Sequence, residues 1–155
     1  MREPVRPAPR FVSFFVAGVA RPTQPGPIFR GKGGKGIIFT WRNTEWAATV
    51  GKVARDHAPE FPFAGPVRVD VTFYFPTPAK HGRYHAKRPD LFNMDKKMFD
   101  SLNHVLWEDD GQIVEGHLYK EFSEREPQGR AGVLIRVTEL ALPEERKTKR
   151  KRVSR

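Results

Sequence analysis

The chain of 155 residues contains no cysteine. That excludes a disulfide framework, cysteine-ligated zinc and a thiol nucleophile, and it fits a reducing compartment. Any metal must be held by oxygen or nitrogen. Long apolar runs are missing too: the longest, Phe11 to Val19, is interrupted by Ser13 and falls far short of the ~20 residues that cross a bilayer. It carries no signal-peptide cleavage pattern, so a cytoplasmic protein without a membrane partner is expected. The glycine-rich stretch Arg30–Gly36 lacks the Lys-Ser/Thr ending of a phosphate-binding loop, so no nucleotide cofactor is expected. Acids are absent from the last ten residues, Arg146–Arg155, which hold seven Lys or Arg.

The formal charge is +10, but without those ten residues 21 basic side chains face 18 acidic ones, a balance of only +3. Most of the charge therefore lies in the tail. A basic tail binds any polyanion by counterion release, whereas carboxylates on a basic body imply an oriented substrate. For the tail itself two readings stand: a disordered solubilising or targeting extension, or an auxiliary nucleic-acid contact. The length suits one core. A flexible lead over 1–10, one domain over 11–142 and a basic tail over 143–155 are expected.

Phe11–Gly18 is aromatic and β-branched and reads as a strand buried on both faces or nearly so. The prolines and glycines of residues 21–36 predict a long loop whose Arg30, Lys32 and Lys35 suit a phosphate backbone; the plainer reading is a surface hairpin with incidental charge. A short strand is expected over Ile37–Thr40. Asn43 or Thr44 can cap a helix from Glu45 to about His57. Val67–Phe75 alternates as a half-buried strand should. A loop with His81, Arg83, His85, Lys87 and Arg88 leads to a predicted helix over Met94–Leu106, with Met94, Met98, Leu102 and Val105 as its apolar stripe. Lys96, Asp100 and Asn103 fall on another face of that helix. Gln112–Phe122 and Gly132–Leu140 complete the strands. The pattern predicts an α/β (α+β) fold: a small mixed sheet of about four to five strands packed with two main helices.

Acids and amides crowd two short segments: Asp90, Asn93, Asp95 and Asp100, then Asp109 and Asp110. Magnesium takes one or two protein carboxylates plus water and phosphate oxygens, and near a phosphodiester it activates water and neutralises developing charge. A lysine such as Lys96 can stabilise the same charge. Each aspartate alone reads equally as a helix cap or turn residue. The five histidines offer no second ligand pair at zinc spacing. Trp41, Trp46 and Trp107 could stack on bases, but Trp46 and Trp107 occupy apolar positions that favour the core.

The order Pro89-Asp90-Leu91, Asn93, Lys96, Asp100, Leu102-Asn103, then Trp107, Asp109-Asp110, Gln112, Val114-Glu115 and Lys120 resembles the RusA family of Holliday junction resolvases. The likeness spans about residues 88–122; the first half of the chain fits loosely. It implies a homodimer, nucleoid-associated and often of phage or prophage origin, that nicks branched double-stranded DNA with magnesium, or manganese as a substitute. By the same likeness Asp90 and Asp110 are metal-binding and catalytic, and Lys96 is catalytic. Asp100, Asp109 and Lys120 support them, as do Asn93 and Asp95. Arg30, Lys32, Lys35, Arg83, Lys87 and Arg88 are the candidate DNA contacts. Phe92 stands where the family carries a second aspartate, and it cannot ligate a metal. The site then works with fewer ligands, or Asp95, Asp100 or Asp109 substitutes, or the chain is a junction-binding dimer without useful nuclease activity.

Overall fold

The computed structural model describes residues 10–140 apart from Thr23, Lys35, Asn43 and Asp95, with backbone alone at Pro25 and residues 38–42. The expected lead and basic tail fall almost wholly outside the described residues, as do Lys35 and Asp95 and the side chain of Trp41.

Six strands and two helices follow one another: β1 Phe11–Ala17, β2 Gln24–Arg30, β3 Ile37–Arg42, α1 Glu45–His57, β4 Val67–Phe75, α2 Lys96–Asp100, β5 Ile113–Phe122 and β6 Gly132–Glu139. Four of them form a sheet in the order β1-β6-β4-β5, while β2 and β3 pair separately. β6 runs antiparallel to both β1 and β4, and β5 runs parallel to β4. The sheet is therefore mixed and the fold is α+β.

β4 takes the centre because its sequence alternates without a break. Val67, Val69, Val71, Phe73 and Phe75 are buried, and the residues between them face the other side. Each such side chain contributes about 2 kcal/mol of gross burial. β6 supplies Val133, Ile135 and Val137 to the same layer, and Trp46, Val50 and Ala54 of α1 cover it. Gly51 lets the second helical segment come close: a Cβ there would stand 3.1 Å from the Ser101 carbonyl oxygen.

Three expectations are corrected. β1 buries only Phe14 and Val16, and Phe11 is exposed, because β1 is an edge strand with one face open to solvent. The predicted loop over 21–36 contains β2, which pairs with β3 from Gln24 to Arg30 through a register shift at Pro25/Ile28, so of the two readings of this segment the hairpin holds. Its prolines signal a loop, yet on the edge of a two-stranded ribbon a missing N–H removes no ladder bond. The helix expected over Met94–Leu106 is α-helical only at Lys96–Asp100. Past it, His104 adopts φ 61° and its N–H bonds the Trp107 carbonyl, while Ser101 Oγ donates to the Met98 carbonyl. Side-chain and turn bonds replace the helical ladder there. Of the apolar stripe, Met94, Met98 and Leu102 are buried and Val105 is half-buried, with Leu106 buried beside them.

The β5–β6 connection is locked by Glu126. Its buried carboxylate accepts from the Arg130 guanidinium at 2.7 Å and from the backbone N–H of Gln128 and Arg130. The Arg130 side-chain bond leads the effects that hold this carboxyl down at about 2, and burial opposes them.

Candidate active site

The two halves of the acidic motif are fastened to β5 by different means. Lys120, on β5, donates its ammonium to the carbonyls of Lys87 at 2.6 Å and Pro89 at 2.9 Å, on either side of the cis Arg88–Pro89 peptide. A half-buried lysine spent on two backbone oxygens positions the segment that carries Asp90. Asp90 then starts a short 3-10 turn, Leu91–Asn93, through its backbone carbonyl, and its side chain makes no capping bond. The plain reading of Asp90 as a cap therefore fails. Its carboxylate is exposed, with the Asn93 amide 3.5 Å from Oδ2. Leu91 and Phe92 lie against Gly116–Tyr119 of β5, and Phe92 is 80% exposed.

At the other end of β5, Trp107 is fully buried and its Nε1–H is shared between Asn103 Oδ1 at 2.7 Å and Asp110 Oδ1 at 3.1 Å. That bond fixes one oxygen of the half-buried Asp110 and leaves Oδ2 for another partner. Asp109 is the acid for which the cap reading holds: Oδ1 accepts from the Gly111 N–H at 2.7 Å, and Gln112 closes the reciprocal bond. A Cβ at Gly111 would stand 2.8 Å from that oxygen. Gln112 makes four bonds. Its Oε1 accepts from the N–H of Glu108 and Asp109, and its Nε2 donates to the carbonyls of Phe63 and Gly65. The turn bearing Asp110 is thus clamped to the segment ahead of β4.

The remaining candidates are scattered more widely. Lys96 opens α2 and is exposed; Asp100 closes α2 and pairs with Lys97 at 3.3 Å. Asn103 lies beyond the helix, bonded to Trp107, so the expected Lys96–Asp100–Asn103 face is not continued. Arg30 and Lys32 sit exposed at the β2–β3 end, while Arg83, Lys87 and Arg88 are exposed in the loop that runs into Asp90. Trp107 was legible as a core residue, which it is, and Gln112 as a motif position; their roles as props depend on partners that numbering does not reveal.

Among the described residues no three Asp, Glu or His side chains gather into one metal-binding group. Lys120 of β5 holds the segment that leads into Asp90, and Asp110 lies three residues ahead of the start of the same strand. Both offer hard oxygen donors, and magnesium needs only one or two carboxylates besides water, so the donor set fits that ion.

Exposed carboxylates, an amide and a lysine at a sheet edge, with a basic loop leading into them, are the groups of a nuclease-type site. Residues 20–138 match the family model described as Endodeoxyribonuclease RusA. The chain belongs to that family. It is also similar to the uncharacterized protein YqaN of Bacillus subtilis (strain 168), at 36% identity over 100 residues, covering 56% of this chain and 68% of that protein. No helix among the described residues is long and apolar enough to cross a membrane.

Proposed function

We propose that the protein is a magnesium-dependent endodeoxyribonuclease that resolves four-way DNA junctions by paired nicks, acting as a homodimer. The observation that carries this reading is that both family acids are positioned around β5: Lys120 of that strand holds the segment leading to Asp90, and Asp110, three residues ahead of the strand, is held by the Trp107 N–H. Family membership supplies the reaction class.

In this reading Asp90 and Asp110 would hold the ion. Magnesium, when bound, supplies activation of water and neutralisation of charge on the phosphate. The Trp107 N–H holds one oxygen of Asp110 and leaves the other for the ion. Lys120 does not touch the phosphate; it keeps the Asp90 segment at the strand. Lys96 adds a positive charge toward the phosphate, and the Lys87–Arg88 pair draws the backbone in. A two-fold symmetric junction is cut on two strands by two sites related by a two-fold axis, which a dimer provides.

Phe92 supports a second reading. An apolar, 80% exposed ring occupies the family position of an acid, which fits a junction-binding dimer with little or no nuclease activity. A labelled synthetic four-way junction separates the two. Paired nicks with magnesium and binding without nicking in chelator support the enzyme. Binding with no nicks under either condition, followed by nicking in Phe92→Asp, supports the second. No junction binding at all refutes both.

A further inference from the structure

A cavity of about 540 Å³ lies under the loop between Pro78 and Arg88, and neither acid of the motif lines it. Its walls are aromatic. The His81 ring lies tilted 4.7 Å from Phe122, and His85 is wedged between Phe122 at 5.0 Å and Phe75 at 4.8 Å. Tyr84 lines the opening with 69% of its surface exposed, and the Arg83 guanidinium lies 5.4 Å over its ring. Lys80, Lys87 and Arg88 complete the lining with positive charge. His85 Nδ1 is enclosed with no partner among the described residues, so hydrogen bonding within the fold does not explain why an imidazole fills that slot.

We propose that this cavity takes the base of one unpaired nucleotide next to the scissile phosphate, and so sets the base step at which the strand is cut. The proposal rests on the nuclease reading and deepens it. An aromatic interior selects a flat, weakly polar ring, and cations at the rim select a ring that carries an anion; a nucleotide is both. A base inside a duplex is stacked and paired, so only an extruded or unpaired one can enter. The register follows from the chain. Arg88 at the rim is two residues from Asp90, a reach on the order of 7 Å. The nucleotide whose base is seated is then the neighbour of the phosphate at Asp90.

The test uses the full-length protein and four-way junctions carrying 2-aminopurine singly at each position flanking the nick. Fluorescence is read in chelator, where no cutting occurs, and nick positions are read with magnesium. Wild type is expected to change the fluorescence at one position only. Tyr84→Ala, at an exposed position, is expected to retain the wild-type urea midpoint, lose that signal, and reduce the preference between base steps about tenfold. An unchanged signal and unchanged step preference in Tyr84→Ala overturn the proposal. So does saturation of the cavity by free deoxynucleoside monophosphate with no effect on the junction signal, which would make it a mononucleotide site. A protein that shows the one-position signal in chelator yet never nicks sustains the pocket and refutes the nuclease reading alone.

Discussion

Replacing Gln112 by methionine keeps the side chain's length and volume and removes its polar atoms. Four bonds are lost, at 2.8 and 3.1 Å to Oε1 and at 2.8 and 2.9 Å from Nε2. The N–H groups of Glu108 and Asp109 belong to exposed residues and regain water, so they cost little. The carbonyl of Phe63, a residue 1% exposed, does not. At about 0.5–1.5 kcal/mol net for an ordinary bond and about 1–3 kcal/mol for a stranded buried group, the total is about 3 kcal/mol. For a domain of this size that lowers Tm by roughly 10 °C. Urea unfolding should show the midpoint falling with an unchanged slope. A loss below about 1 kcal/mol would show that the Asp110 turn is held by something else, and the account of how that acid is positioned would fail.

Further outcomes follow from the same geometry. Trp107→Phe keeps a buried ring but deletes the Nε1–H that Asn103 and Asp110 share; stability should fall by about 1–2 kcal/mol, and magnesium-dependent nicking should drop while junction binding in chelator persists. Glu126 sits at about 2 in the folded protein, below the roughly 4.3 of a free glutamate. Because the folded value is the lower one, its stabilisation is complete above about pH 4.3 and fades as pH falls toward 2. Glu126→Gln should therefore lose stability at neutral pH and show a flatter acid limb in urea midpoints taken from pH 5 to 2; an unchanged limb would refute the role given to the Arg130 bond. Gly111→Ala, whose Cβ meets the Asp109 carboxylate, should cost about 1 kcal/mol, as the loss of a helix cap does, read by thermal melting.

The sheet was legible where side-chain periodicity and burial coincide. β4 alternates because it is central with one face covered, and β5 and β6 fell where the apolar pattern placed them. β2 was hidden by its prolines, which mark loops in most settings and are tolerated in an edge ribbon. The second helix was overextended because an apolar stripe at helical spacing shows which side chains point inward, whether the backbone between them is helical or turned. Met98, Leu102 and Leu106 are buried either way. At the site, the residue types were legible and their division of labour was not. Asp109 and Asp110 are neighbours in sequence, yet one caps a turn and the other hangs from a buried indole. Lys120 was legible as a supporting residue, but not that its support consists of gripping two carbonyls more than thirty positions away.

If Asp90, whose segment Lys120 of β5 holds, and Asp110, three residues ahead of that strand, serve one cation, their contributions to its binding are coupled. Manganese binding to the DNA-bound protein, followed by electron paramagnetic resonance, tests it in wild type, Asp90→Asn, Asp110→Asn and the double variant. Each single change is expected to weaken binding at least about tenfold, and the loss in the double variant to depart from the sum of the two, as coupled groups sharing one ion do. Independent, additive losses, or a single variant that binds as tightly as wild type, would contradict it.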